Sequence, residues 1–213
     1  MKVYPVVAGD LSGTMDRTVF YKVEDRCFGR KKAQYVARTF SEAERTQHLM
    51  FGFMNQVARC VKFVLRVSLP KRPKHMSSYN YFTRLNIKEC EVTDLENGLV
   101  SFNFEKAVFA VGGMATPTVN ATYEEGGRQL TFSVTTSGDR EFPGNMGSDK
   151  VYVVLVESVL LQAYALELCP RGDGKIVSET LPQQWDRENL HVYAFATDEK
   201  GKETSPSYHL SIT

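Results

Sequence analysis

The sequence predicts an α+β protein: an amino-terminal hairpin and one long amphipathic helix, with a short second helix, precede an immunoglobulin-like β-sandwich. Three observations lead there. Two β-prone runs, Thr18–Val23 and Arg26–Lys31, flank Glu24-Asp25. Apolar residues recur at helical spacing between Ser41 and Leu69. From about Glu89 onward, short β-prone runs alternate with turn residues roughly every ten positions.

The hairpin reads T-V-F-Y-K-V and R-C-F-G-R-K. A lone hairpin is marginal in water, so this one must lean on something else. The helix opens at Ser41, which with Glu44 fits a capping box, each side chain satisfying an orphan N–H of the first turn. Leu49, Phe53, Val57, Cys60, Val61, Val64 and Val67 then share one face. The opposite face carries Arg45, Gln47, Asn55, Arg59, Lys62 and Arg66. Pro70 removes a backbone donor and ends the helix near Leu69, after about 40 Å. A shorter helix is expected from Ser77 to Ile87, with Tyr79, Phe82 and Leu85 on one side. The long helix must bury its apolar face on the sandwich or in a partner.

Expected strands are Leu99–Phe104, Ala107–Val111, Val119–Glu124, Gln129–Thr135, Val151–Glu157, Leu161–Leu168, Lys175–Thr180, Leu190–Thr197 and Tyr208–Ile212. Gly112-Gly113, Gly126-Gly127, Pro143-Gly144-Asn145, Asp173-Gly174 and Lys200-Gly201 mark the breaks. Roughly seven strands over about 100 residues suit an immunoglobulin-like or fibronectin-III-like sandwich, though without the Cys-Trp-Cys trio of antibody domains. The expected division is residues 1–88, hairpin plus helices, and residues 89–213, sandwich.

The chain has 213 residues, 42% hydrophobic and 24% charged, with a net charge of +1. These values exclude a collagen-like repeat, a disordered acidic tail and a small disulfide scaffold. Neutrality hides an asymmetry: residues 1–90 hold 17 Lys or Arg against 7 Asp or Glu, and residues 91–213 hold 9 against 18. Such polarity suits a polyanion-facing end, or halves that attract each other. Cys27, Cys60, Cys90 and Cys169 form no close-spaced pair, and the four histidines are scattered, so neither a metal site nor a cofactor is expected. The apolar stretch Val151–Cys169 is broken by Glu157, Gln162 and Glu167, short of a membrane span. No secretory signal is evident at the start, which favours a cytoplasmic or virion-associated protein.

Several residues tempt a functional reading. Arg171-Gly172-Asp173 is an RGD triplet, but Asp173-Gly174 is a strong hairpin signal and turn chemistry is the expectation. Trp185, the single tryptophan, is expected to plug the core rather than stack on a sugar or base. Cys169 and His191 could be drawn as a nucleophile and base, yet no spacing demands it and no catalytic motif is present, which argues against an enzyme. Two basic clusters, Arg30-Lys31-Lys32 and Lys71-Arg72-Pro73-Lys74, lie near Tyr35, Tyr79 and Tyr81. Basic clusters with aromatics can bind nucleic acid, but without an RRM, KH or zinc-finger pattern a solvated face is the simpler reading.

Several short signatures occur in order: Gly9 to Thr14 leading into Val19 to Tyr21, Arg45 and Gln47 on the helix, S-S-Y-N-Y-F with Asn80 and a second Asn at Asn86, L-P-x-x-W (Leu181 to Trp185), H-V-Y-A-F (His191 to Phe195), Gly201 and S-P-S-Y (Ser205 to Tyr208). In that order the chain resembles a family of uncharacterised proteins, mostly from Bacteroidetes, catalogued as a domain of unknown function. It departs from the family's pattern near Asp16-Arg17 and over Lys31 to Thr39. The resemblance implies an amino-terminal hairpin and helices attached to a sandwich. It brings no activity, cofactor or site residues.

The functional expectation is therefore a non-catalytic interaction or assembly module, such as a subunit of a surface or phage-derived structure, acting through a protein partner or self-association. The alternatives are a carbohydrate- or nucleic-acid-binding module and a hydrolase with an unrecognised site.

Overall fold

The computed structural model describes residues 2–3, 12–23, 26–34, 38–136 and 144–213. Glu24-Asp25, Tyr35, Pro143 and the start of the Gly9–Thr14 signature lie outside them. The chain forms two compact units, Met1–Ser41 and Glu42–Thr213.

The first unit is an antiparallel sheet ordered β1-β4-β3-β2, from Lys2–Val3 (β1), Gly13–Met15 (β2), Thr18–Val23 (β3) and Arg26–Lys31 (β4). The expected hairpin is present, with Thr18 opposite Lys31 and Val23 opposite Arg26. Cys27 is buried, and Tyr21 stacks on Phe28 at 5.7 Å.

The second unit opens with helix α1, Glu42–Cys60, followed by a short α2, Leu65–Ser68, and by α3, Ser78–Asn86. The single helix expected to reach Leu69 is interrupted at residues 61–64. Lys62 N–H reaches back only to Arg59 O, and Val64 N–H only to Val61 O. This tighter winding falls on V-K-F-V, where β-branched and aromatic side chains have lost their preference for the α-helix. The buried face is also rotated from the expected one. Met54, Val57, Ala58 and Val61 are fully buried, whereas Leu49 and Phe53 are partly exposed. Burying a Met or Val side chain stabilises by about 1.5–3 kcal/mol.

α3 begins where expected, because Ser77 Oγ accepts from Asn80 N–H at 3.1 Å and caps it. A short hairpin follows, Cys90–Asp94 (β5) with Leu99–Phe102 (β6). Sequence reasoning missed β5. Phe104, expected to end a strand, instead opens a 3-10 turn.

The remaining strands are Thr118–Glu124 (β7), Gln129–Thr135 (β8), Lys150–Glu157 (β9), Gln162–Pro170 (β10), Ile176–Thr180 (β11), Leu190–Thr197 (β12) and Tyr208–Leu210 (β13). They form two antiparallel sheets, β10-β9-β12-β13 and β11-β8-β7. β9 and β12 are buried on both faces. Val153, Leu155, Val192 and Ala194 join Val119, Leu130 and Phe132 in one core to which both sheets contribute. Val154, Val156, Tyr193 and Phe195 meet Met54, Val57, Leu65 and Phe82 in a second core under the helices. The helical face thus packs on the chain's own central sheet. Period-2 alternation explains how one strand serves two cores.

Ala107–Val111, expected as a strand, pairs with no strand. Side chains satisfy its backbone instead. Asn86 Oδ1 accepts from Val108 N–H at 2.7 Å and its Nδ2 donates to Val108 O at 2.9 Å. Ser207 Oγ accepts from Phe109 and Ala110 N–H at 2.9 and 3.1 Å. Thr204 Oγ1 donates to Val111 O at 2.9 Å. Among the described residues, no helix is long and apolar enough to cross a membrane.

Candidate anion-binding groove

The last turn of α1, the tightened segment after it, α2 and the start of α3 enclose a groove of about 870 Å³. Its charged lining is Arg59, Lys62, Arg66 and Arg72, without a carboxylate. Phe63, Leu65 and the start of α3 with its cap, Ser77 to Tyr79, complete it. Three facts of local structure place these groups together. The apolar face of α1 and α2 turns inward on Met54, Val57, Val61 and Leu65, so the intervening cations turn out. Tyr79 Oη donates to Asn55 O at 2.6 Å and ties α3 to α1. Arg72 Nε donates to Met76 O at 2.9 Å, folding residues 70–76 back toward α3.

Arg59, Lys62 and Arg66 have no carboxylate within ion-pair distance among the described residues. Arg59 and Arg66 sit in the last turns of α1 and α2, where a cation complements the helix dipole. That local role accounts for two of the charges, and Arg72 braces its own loop through the carbonyls of Met76, Leu69 and Pro70, yet all four cations face one groove. Phe63 remains 51% exposed beside them.

Of the six basic residues singled out from sequence, Arg72 alone lines this groove. Lys71 pairs with Glu203. Lys74 is exposed in the loop before α3. Arg30, Lys31 and Lys32 are exposed at the end of β4 and just beyond, in the first unit. Sequence reasoning put Arg59, Lys62 and Arg66 on the helix face opposite the apolar one and missed them as a site. A signal was available: from Arg45 to Lys88 the chain carries nine Lys or Arg and no Asp or Glu. The charge boundary near residue 90 falls inside the second unit, which has 18 Lys or Arg against 21 Asp or Glu.

The other tempting residues are built into the fold. Arg171 is 2% exposed, donates to Ala115 O at 2.7 Å and faces Asp149 at 3.8 Å. Asp173 pairs with Lys175, and Gly174 takes φ of 56° in the turn. Trp185 is buried, donates from Nε1 to Gln162 Oε1 at 2.8 Å and packs on Tyr164. Cys169 lies in the core to which both sheets contribute, while His191 stacks on Phe104 beside the helical core. The structure does not bring that pair together. All four thiols are free, and burial pushes Cys60 and Cys90 up to about 11. Among the described residues, no three His, Cys, Asp or Glu side chains converge as metal ligands.

A second hollow, about 480 Å³, lies beside the β7–β8 turn. Its aromatic faces are occupied by the protein itself. Arg187 lies over Tyr123 at 5.0 Å and pairs with Glu125 at 3.6 Å. Arg128, at φ of 50°, donates to Pro182 O and Trp185 O, so it serves as a turn brace.

No protein-family model and no curated protein matches this chain. A solved structure, the apo form of β-glucuronidase 3 from Bacteroides uniformis, is similar at 16% identity and a TM-score of 0.25. The likeness covers 53% of this chain and 13% of that one. At that score it defines neither fold nor activity.

Proposed function

We propose that the protein is a non-catalytic interaction module that holds an acidic partner in the groove between α1, α2 and α3. On this reading the two facing sheets form an immunoglobulin-like sandwich, and the helices laid on it carry the binding surface. Four cations around one cavity, without a carboxylate in its lining, carry the reading. Like charges held together repel each other and raise the local potential, and a polyanion relieves both. The acidic partner is either a phosphate-bearing polymer or the acid-rich half of a second copy.

Titration with inorganic polyphosphate tests this. Three phosphate contacts, at Arg59, Lys62 and Arg66, predict that affinity falls by roughly 20-fold between about 50 and about 200 mM salt. Arg59→Ala with Arg66→Ala should flatten that dependence, and light scattering should show a monomer. Absence of both polyphosphate binding and self-association at low salt contradicts the proposal. Salt-sensitive self-association, with polyphosphate ignored, would select the second copy as the partner.

A further inference from the structure

The geometry points to a more specific ligand: we propose that the groove binds single-stranded nucleic acid, with phosphates on Arg59, Lys62 and Arg66 and a base stacked on Phe63. The inference rests on the acidic-partner reading and names the partner's chemistry.

Phe63 is the feature that selects it. A large ring 51% exposed among cations gains nothing from an acidic peptide or an inorganic polymer, whereas every nucleobase offers a flat face to cover it. The arginines agree. Arg59 and Arg66 carry planar forks that grip phosphate oxygens bidentately, whereas Arg72 already donates to the carbonyls of Met76, Leu69 and Pro70. The start of α3 supplies a further contact. Asn80 N–H is taken by Ser77 Oγ and Tyr81 N–H by Ser77 O, which leaves the N–H groups of Ser78 and Tyr79 for a phosphate on the groove side. The groove is concave and offers no projecting helix or ribbon to enter a duplex, so a strand with free bases fits it better.

Fluorescence anisotropy on the full chain would test this with three probes. They are an oligothymidylate of about 12 nucleotides, an abasic oligomer of equal phosphate count and polyglutamate. The expected result is preference for the oligothymidylate. Phe63→Ala should weaken that probe at least about 5-fold and leave the abasic oligomer unchanged. Phe63→Tyr should restore binding. Arg59→Ala with Arg66→Ala should weaken both phosphate probes. If polyglutamate binds as tightly as the oligothymidylate and Phe63→Ala has no effect, the nucleic-acid assignment fails while the acidic-partner reading stands. If no probe binds, both fail. If only Arg30→Ala with Lys31→Ala and Lys32→Ala abolishes binding, the groove is the wrong site.

Discussion

Asn86 shows how a single buried amide replaces a strand ladder. It is fully buried and makes three hydrogen bonds, to Phe82 O and to both backbone groups of Val108. Asn86→Leu strands those partners without water. It should cost about 2–4 kcal/mol in denaturant unfolding, and a loss under about 0.5 kcal/mol would refute the role. Gly112 answers a different constraint. A Cβ there would sit 1.8 Å from Thr204 O, a backbone atom that itself accepts from Met114 N–H. Gly112→Ala should destabilise by about 2 kcal/mol or more, and a variant as stable as the parent would contradict the close approach. His191 Nδ1 and His209 Nε2 lie 3.2 Å apart. Burial, and for His191 also the neighbouring ring, lowers both affinities for protons, while Glu105 opposes the shift. The folded state therefore holds fewer protons than the unfolded chain once the pH drops below the ordinary value of 6.5. The stability this pair contributes is complete above that value and declines as the pH falls toward the depressed folded values. Thermal scans from about pH 7.5 to about pH 5.5 should show the decline, and His209→Gln should make it shallower. Little of this was legible from sequence. Asn86 and the S-P-S-Y segment could be picked out, but which backbone groups they satisfy depends on partners about 20 to 100 positions away.

Elements with periodic patterns were the most legible. β12 spans the residues expected of it, and α3 begins at its Ser77 cap, because a short β-prone apolar run and a cap are local signals. The apolar run Ala107–Val111 misled because burial does not distinguish a strand from a segment bound by side chains. Likewise V-K-F-V kept helical spacing while losing helical propensity, so the face was visible and the break was not. Its consequence is functional: the tightened turn at residues 61–64 sets Lys62 and Phe63 beside Arg59 and Arg66. At this scale, β9 and β12 are buried on both faces and should exchange amide hydrogens only on global unfolding. Faster exchange there than in β7 would show that the central sheet is not the structural spine.

For the whole molecule, both hydrophobic cores lie between Met54 and Leu210. A chain of residues 42–213 should therefore fold alone with a melting temperature within a few degrees of the parent's, about what 1 kcal/mol is worth. Collapse of that fragment would mean that the first unit stabilises the second. Charge reads differently at this scale too. The tally by halves suggested a polyanion-facing end or halves that attract each other, whereas the fold gathers basic residues of the first half into a groove on a unit that is slightly acidic in sum. Backbone amide chemical shifts of the labelled full chain, titrated with a short oligothymidylate, test that account most directly. Shifts concentrated at residues 59–66, Arg72 and Ser77–Tyr79 are the predicted result; shifts confined to residues 26–34, or none at all, would contradict it.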